Sequence, residues 1–318
     1  MNNIKHIMIC GCYHMKFKNA TKDLDLKNND GLYIKHKSPF APKQYMDLYP
    51  IGFKIFTFNC GFKKKKDDLL IIIFDQVINV ACKYSLTSMP SAPIIWDKKN
   101  NRGKCRALIV NSGNANAYTG IRGLKNIDKY TKKITDYLSC SKKQVLVSST
   151  GVIGEQLNPD FICKKIKKIS FLNEHKLIDA ARSICTTDTF VKTSICILKI
   201  QNQKIRIYGF AKGSGMISPN MGTMLAYIFI DCDINSKILT KLLNDNIDET
   251  FNAISVDSDT STSDTIMLFS NPICKINLNS SNYNKISKTL NKVMKELSYK
   301  IISDGEGVKK IIKVNVKK

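Results

Sequence analysis

Ala211-Lys-Gly-Ser-Gly-Met-Ile-Ser-Pro-Asn-Met-Gly-Thr-Met-Leu-Ala-Tyr-Ile-Phe-Ile-Asp231 changes character at a single residue. Up to Gly222 it is a loop holding Gly213, Gly215, Pro219, Asn220 and Gly222; from 224 to 230 it is apolar without a break, the length of one buried strand. Thr223 stands where flexible backbone meets core. A hydroxyl there is held rigidly, while the segment before it can take backbone angles open only to glycine. Two readings fit. The first is a glycine-rich turn entering a strand. The second is self-cleavage: the Thr223 hydroxyl attacks the Gly222 carbonyl, the ester hydrolyses, and a new N-terminal threonine is left whose α-amine serves as its base. Such an amine titrates near pKa ~8, close to the pH at which it would work. On composition alone the turn is the simpler reading, so the rest of the chain decides.

With 318 residues and 43% hydrophobic content, the chain can bury one large core or two smaller ones. Its apolar runs are too short to span a bilayer, and residues 1–20 lack a signal-peptide core with a cleavage site. A cytoplasmic protein away from membranes is the expectation. Eleven cysteines, an odd number with no Cys-x-x-Cys, suit a reducing compartment. Cys10, Cys12 and His14 have no second ligand pair nearby, so no metal is expected. The net charge of +24 is almost all lysine; Arg102, Arg106, Arg122, Arg182 and Arg206 are the only arginines. Without an arginine-rich face or a nucleic-acid-binding motif, the lysines read as a solvated surface with no specific nucleic-acid partner.

Residues 1–36 are polar and aperiodic, hold His6, His14 and His36, and read as a loosely ordered leader. Strands are expected at 51–58, 69–75 and 77–84, with the lysines of 63–66 in a hairpin turn and residues 91–94 closing the section. A short strand at 107–110 feeds Asn111-Ser-Gly-Asn-Ala-Asn-Ala117, and a helix at 124–139 turns Ile127, Tyr130, Ile134 and Tyr137 to one face. Residues 145–147 repeat the scheme, leading into Ser148-Ser-Thr-Gly-Val-Ile-Gly-Glu155 and helices at 160–169 and 173–184. Small-residue loops before helices would present backbone N–H groups to a negative charge. Strands at 194–200 and 204–211 precede the opening stretch, and a helix at 236–252 follows it. The segment 255–264 resembles a calcium loop, but Thr262 and Leu268 stand where an EF-hand needs Gly and Glu; it reads as a polar turn. A helix at 284–302 and a strand at 311–316 close the chain.

Histidine-based catalysis has little support, since His175, in an expected helix, is the only histidine beyond His36. No phosphate-binding G-x-x-x-x-G-K-[ST] is present. An N-terminal threonine nucleophile needs neither.

Six segments carry a resemblance: Asn111-Ser-Gly-Asn-Ala-Asn-Ala117; Ser149-Thr-Gly-Val-Ile-Gly-Glu155; Thr186-Thr-Asp-Thr189; Ala211-Lys-Gly-Ser-Gly-Met-Ile217 with Pro219-Asn-Met221; Val256-Asp-Ser-Asp-Thr-Ser-Thr262; and Asp304-Gly-Glu-Gly307. In this order they resemble the motifs of the ornithine acetyltransferase family of arginine biosynthesis. The resemblance implies an α/β mixed-sheet sandwich of the αββα type, similar to N-terminal-nucleophile enzymes. It implies cleavage between Gly222 and Thr223 into an α chain, 37–222 behind the leader, and a β chain, 223–318, assembled as an α2β2 heterotetramer. Thr223 would accept the acetyl group of N-acetylornithine and pass it to glutamate, with no bound cofactor, although a bifunctional member also uses acetyl-CoA.

Thr150 and Gly151 match the family's oxyanion hole, and Thr187, Lys212 and Glu306 match substrate-binding positions. Two departures stand out: Gly222 replaces the usual alanine before the nucleophile, and the β chain is shorter at its C-terminus than the family pattern. The alternatives are a related amidohydrolase or aminopeptidase, in which water replaces glutamate, and an inactive family member.

Overall fold

The computed structural model describes residues 5–12, 37–43, 48–171, 174–218 and 224–316. Its longest strand is built from Leu-Leu-Ile-Ile-Ile-Phe at 69–74, a run buried on both faces, as an internal strand with covered faces must be. The strands expected at 69–75 and 77–84 are one. Numbered in chain order, β1 is Lys5–Cys12, β2 Phe53–Phe58 and β3 Leu69–Tyr84. The register of β3 breaks between Ile73 and Ile78, at the exposed Asp75, Gln76 and Val77. Its first half pairs with β2 and with β4 (Lys104–Asn114), and its second half with β10 (Thr265–Ser270).

The remaining strands are β5 (Val145–Val152), β6 (Lys192–Ile200), β7 (Gln203–Lys212), β8 (Leu225–Ile230), β9 (Ile254–Ser255) and β11 (Val308–Val316). The helices are α1 (Ala92–Asn100), α2 (Gly120–Leu138), α3 (Pro159–Ile166), α4 (Leu177–Ile184), α5 (Ser236–Ile247) and α6 (Ser280–Ile302). Strand order in the main sheet is β5-β4-β3-β10-β8-β7-β6, with β2 beside β3; β4/β5 and β8/β10 are parallel.

Three buried clusters define the layers. Trp96, Ile127, Tyr130, Ile134 and Ile162, from α1 to α3, cover one outer face against Ile71, Ile109 and Val147. Leu242, Leu290 and Leu297, from α5 and α6, cover the other against Ile207, Ile228 and Leu268. On the inner face of the main sheet lie Phe53, Phe74, Tyr208, Phe210, Tyr227, Phe229 and Phe269. Phe229 is central, with ring centroids 4.7 Å from Phe53 and 5.1 Å from Phe269. This is the αββα sandwich expected from the resemblance.

Local periodicity missed several elements. Residues 5–12 of the expected leader form β1, antiparallel to β11 and parallel to β9, a pairing between chain ends that no local pattern encodes. Residues 91–94 open α1, with Pro93 in its first turn, instead of closing a strand section. β10, directly after the polar turn, is buried at all six residues and so lacks the alternation that marks a strand. Tyr137 is 44% exposed, so the buried stripe of α2 stops at Thr135. His175 is not helical: its Nδ1 accepts the Thr57 N–H at 3.1 Å and its own N–H donates to Ile55 O at 2.9 Å, tying α4 to β2.

Candidate active site

β5 and β7 end at the same place. Lys212, the last residue of β7, is 3% exposed, and its Nζ donates to Thr150 Oγ1 at 3.0 Å. Burial lowers the Lys212 pKa, opposed by the carboxylate of Asp188. Thr150 and Gly151 do not precede a helix, as the sequence suggested. They lie inside β5, where Ser112 and Gly113 of β4 are their partners, and α3 begins only at Pro159. Close contact explains the glycine: Gly151 has φ +130°, and a Cβ there would lie 2.3 Å from the Gly113 carbonyl carbon. The asparagines hold this end of β4. Ser149 Oγ donates to Asn111 Oδ1 at 2.6 Å, Asn111 Nδ2 to Asn114 O at 2.7 Å, and Asn116 N–H to Asn114 Oδ1 at 2.8 Å.

The loop after Lys212 is pinned by carboxylates. Gly213 N–H donates to Asp188 Oδ1 at 2.8 Å, and Met216 and Ile217 N–H donate to Asp257 at 2.5 and 2.8 Å. The expected polar turn at 255–264 is therefore a clamp on this loop. Thr187 Oγ1 and Ser214 Oγ share a hydrogen bond of 2.5 Å, and Glu306 N–H donates to Ser214 O at 2.7 Å. Gly215 makes room for the Glu306 carboxylate, which would lie 2.9 Å from a Cβ at that position. On the far side of the loop, Met224 N–H donates to Asp264 Oδ1 at 2.8 Å.

Beneath the loop is a buried ion triad. Lys192 Nζ lies 2.6 Å from both Asp188 and Asp304, with no side-chain exposure in any of the three. Burial favours the neutral forms: at Asp304 burial wins and raises the carboxyl above its ordinary value, whereas at Lys192 and Asp188 the opposite charges win. Lys192 is raised above the ordinary lysine range, and Asp188, facing Lys192 and Lys212, is held well below the ordinary carboxylate range. Asp304 also accepts the Thr189 N–H at 2.9 Å. The triad thus joins the threonine turn at 186–189, β6 and the turn that carries Glu306.

Thr150, Gly151, Thr187, Lys212 and Glu306 therefore come together around residues 212–215. Gly222 and Thr223 lie outside the described residues. Sequence reasoning gave no role to Asp188, Asp257 and Asp304, which stand within the quoted motifs, to Asp264, which closes the polar turn, or to Lys192, which carries no local signal. Nor did it anticipate Lys63, which folds inward from the expected turn and donates to Cys185 O at 2.6 Å and Ser183 O at 3.0 Å, capping the end of α4. Burial lowers its pKa to about 8. The nine cysteines from Cys60 to Cys274 are free, and no group of three or more His, Cys, Asp or Glu among the described residues could hold a metal. No helix among them is long and apolar enough to cross a membrane.

Comparison with known proteins identifies the family. A profile for the ArgJ family matches residues 54–318. The arginine biosynthesis bifunctional protein ArgJ of Agrobacterium fabrum is 37% identical over 290 residues, covering 88% of this chain and 70% of that protein. The protein of the same name from Caldanaerobacter subterraneus is 37% identical over 272 residues, 84% of this chain and 68% of its own length. Among solved structures, the arginine biosynthesis bifunctional protein argJ of Bacillus halodurans is 32% identical with a TM-score of 0.49, over 55% of this chain and 91% of that one. The chain belongs to the ArgJ family and is an arginine-biosynthesis enzyme of the acyltransferase class.

Proposed function

We propose that the chain cleaves itself between Gly222 and Thr223 and then carries an acetyl group from N2-acetylornithine to glutamate as an ester on Thr223. In the first reaction the Thr223 hydroxyl adds to the Gly222 carbonyl, the peptide C–N bond breaks to free the α-amine and leave an ester, and water hydrolyses that ester to the Gly222 carboxylate and the free Thr223 hydroxyl. In the second, that amine takes the hydroxyl proton as Thr223 Oγ bonds to the acetyl carbon. The proton then passes to the departing ornithine nitrogen, and the glutamate amine attacks the ester to give N-acetylglutamate and free Thr223.

Thr150 and Gly151 would stabilise the tetrahedral oxyanion, Lys212 would meet a substrate carboxylate, Glu306 the substrate amino group, and Thr187 would add a hydrogen bond. Acetyl-CoA would serve as a second donor to glutamate, without any resident cofactor. The working unit would be a cytoplasmic α2β2 assembly. The observation that carries this reading is the convergence of Thr150, Thr187, Lys212 and Glu306, drawn from four separate parts of the chain, on one loop that runs toward residue 223.

Two measurements test it. Intact-mass analysis of the purified chain should show two fragments divided after Gly222. Purified protein given labelled N-acetylornithine and glutamate should form labelled N-acetylglutamate. Release of free acetate alone would instead identify a hydrolase, and an uncut chain without transfer would sink the reading.

Gly151→Ala probes the oxyanion site separately. The added methyl would push against Gly113 and Asn114 at the end of β4. We expect kcat for acetyl transfer to fall roughly 100-fold, the scale of one lost oxyanion donor, with the far-ultraviolet circular dichroism unchanged. An unaltered kcat would remove Gly151 from the site.

A further inference from the structure

β8 and β10 run parallel from Leu225 beside Thr265. One residue ahead of that pairing, the Met224 carbonyl accepts the Thr265 N–H at 3.1 Å, as a strand would. The Met224 N–H does not go to main chain. It goes to the side chain of Asp264, whose own carbonyl accepts the Ser85 N–H at 2.9 Å and so ties it to the end of β3.

An asparagine could accept the same hydrogen bond, so strand pairing does not explain an acid. The Asp264 side chain is buried, and its Oδ2 has no hydrogen-bond partner among the described residues. That arrangement costs stability. The groups facing Asp264 are the Lys212 ammonium from β7, the Met224 N–H and Ser261; Lys212 in turn faces Asp188, Lys192 and Cys185. Burial pushes the Asp264 carboxyl up to about 7, against the pull of Met224 N–H and Lys212.

Covalent geometry connects this carboxylate to the reaction. The peptide joining residues 223 and 224 is planar, so holding the Met224 N–H fixes the direction of the bond back to the α-carbon of residue 223. The two backbone nitrogens of consecutive residues can be at most about 3.7 Å apart. With Oδ1 2.8 Å from the Met224 nitrogen, a free amine on residue 223 would lie within about 6.5 Å of Asp264 in any conformation.

We propose that Asp264 is a positioning and electrostatic residue for the N-terminal nucleophile: it holds the first peptide of the β chain and, when ionised, stabilises the ammonium formed as the α-amine takes the hydroxyl proton. The role parallels that of a buried carboxylate stabilising a protonated histidine base. It rests on Thr223 being the nucleophile. Both the amine and Asp264 must then be deprotonated, so on acidification the logarithm of kcat for acetyl transfer falls with two ionisations and approaches a slope of two.

Asp264→Asn keeps the acceptor for Met224 N–H and removes the charge. We expect it to self-cleave and fold, to lose about 10⁴-fold in kcat, the scale for a carboxylate removed from behind a general base, with KM little changed, and to show a limiting slope of one. A wild-type slope of one overturns the proposal without any variant, as does an Asp264→Asn enzyme with wild-type kcat and profile. Activity surviving in Thr223→Ala would instead overturn the nucleophile assignment, so the two failures are distinguishable.

Discussion

Replacing Thr223 by alanine is expected to yield a single uncut chain of 318 residues with acetyl transfer reduced on the order of 10⁶-fold, the scale seen when a covalent nucleophile is deleted and only binding and oxyanion donors remain. One change removes two functions. Without the hydroxyl no acyl shift starts at Gly222, and without cleavage no free α-amine exists to act as base. Thr223→Ser separates loss of chemistry from loss of structure, because it keeps the hydroxyl while giving up only the methyl. It should still cleave, more slowly, and retain measurable transfer. Intact mass reports the cleavage, and label transfer from N-acetylornithine to glutamate reports the activity. A Thr223→Ala protein that is cut after Gly222, or that transfers acetyl at more than a trace, would place the nucleophile elsewhere.

Lys192→Met should be among the most destabilising single changes in the chain. The side chain is buried and neutralises two buried carboxylates, each 2.6 Å away. Removing it takes the shared countercharge from between Asp188 and Asp304 and leaves only Lys212 facing Asp188, at a cost of about 3–5 kcal/mol, against a total stability of about 5–15 kcal/mol for a typical domain. Urea denaturation should show a midpoint lowered in proportion, with partial recovery in Lys192→Met/Asp304→Asn, which carries one buried charge fewer. The acid side follows from the same triad. Asp188 has its folded-state pKa depressed, so its contribution is complete above the ordinary carboxylate range and is lost as pH falls toward the folded value. If Lys192→Met left the midpoint within experimental error, the triad would have no structural weight. The change should also loosen Gly213 and the turn carrying Glu306, since both hang from the two carboxylates.

The residues proposed to bear the chemistry were legible through the resemblance carried by the six ordered motifs, not through any one residue type. Thr150, Gly151, Thr187, Lys212 and Glu306 could each be named before any coordinate, and the αββα layering followed from the same resemblance. The supporting carboxylates could not be named. Asp188 looks like part of a threonine turn and Asp304 like the end of a helix, yet each matters only through Lys192, which lies 112 residues before Asp304 and reads locally as the polar first residue of a strand. Asp264 looks like the close of a polar turn until β10 is set beside β8. Lys63 sits in a run of four lysines that reads as solvated surface, and only the end of α4 turns it inward.

The sequence alone determined which residues are proposed to carry chemistry, where a buried strand after residue 223 is expected, and the family to which the chain belongs. Only the tertiary structure decided which charges stand together: that Lys192 neutralises two aspartates, that Lys212 reaches Thr150 across two strand ends, and that the first amide after Thr223 is held by an acid. The physical reason is range. Periodicity and turn chemistry act over a few residues, whereas burial and pairing of a charge depend on neighbours that only folding brings within 3 Å.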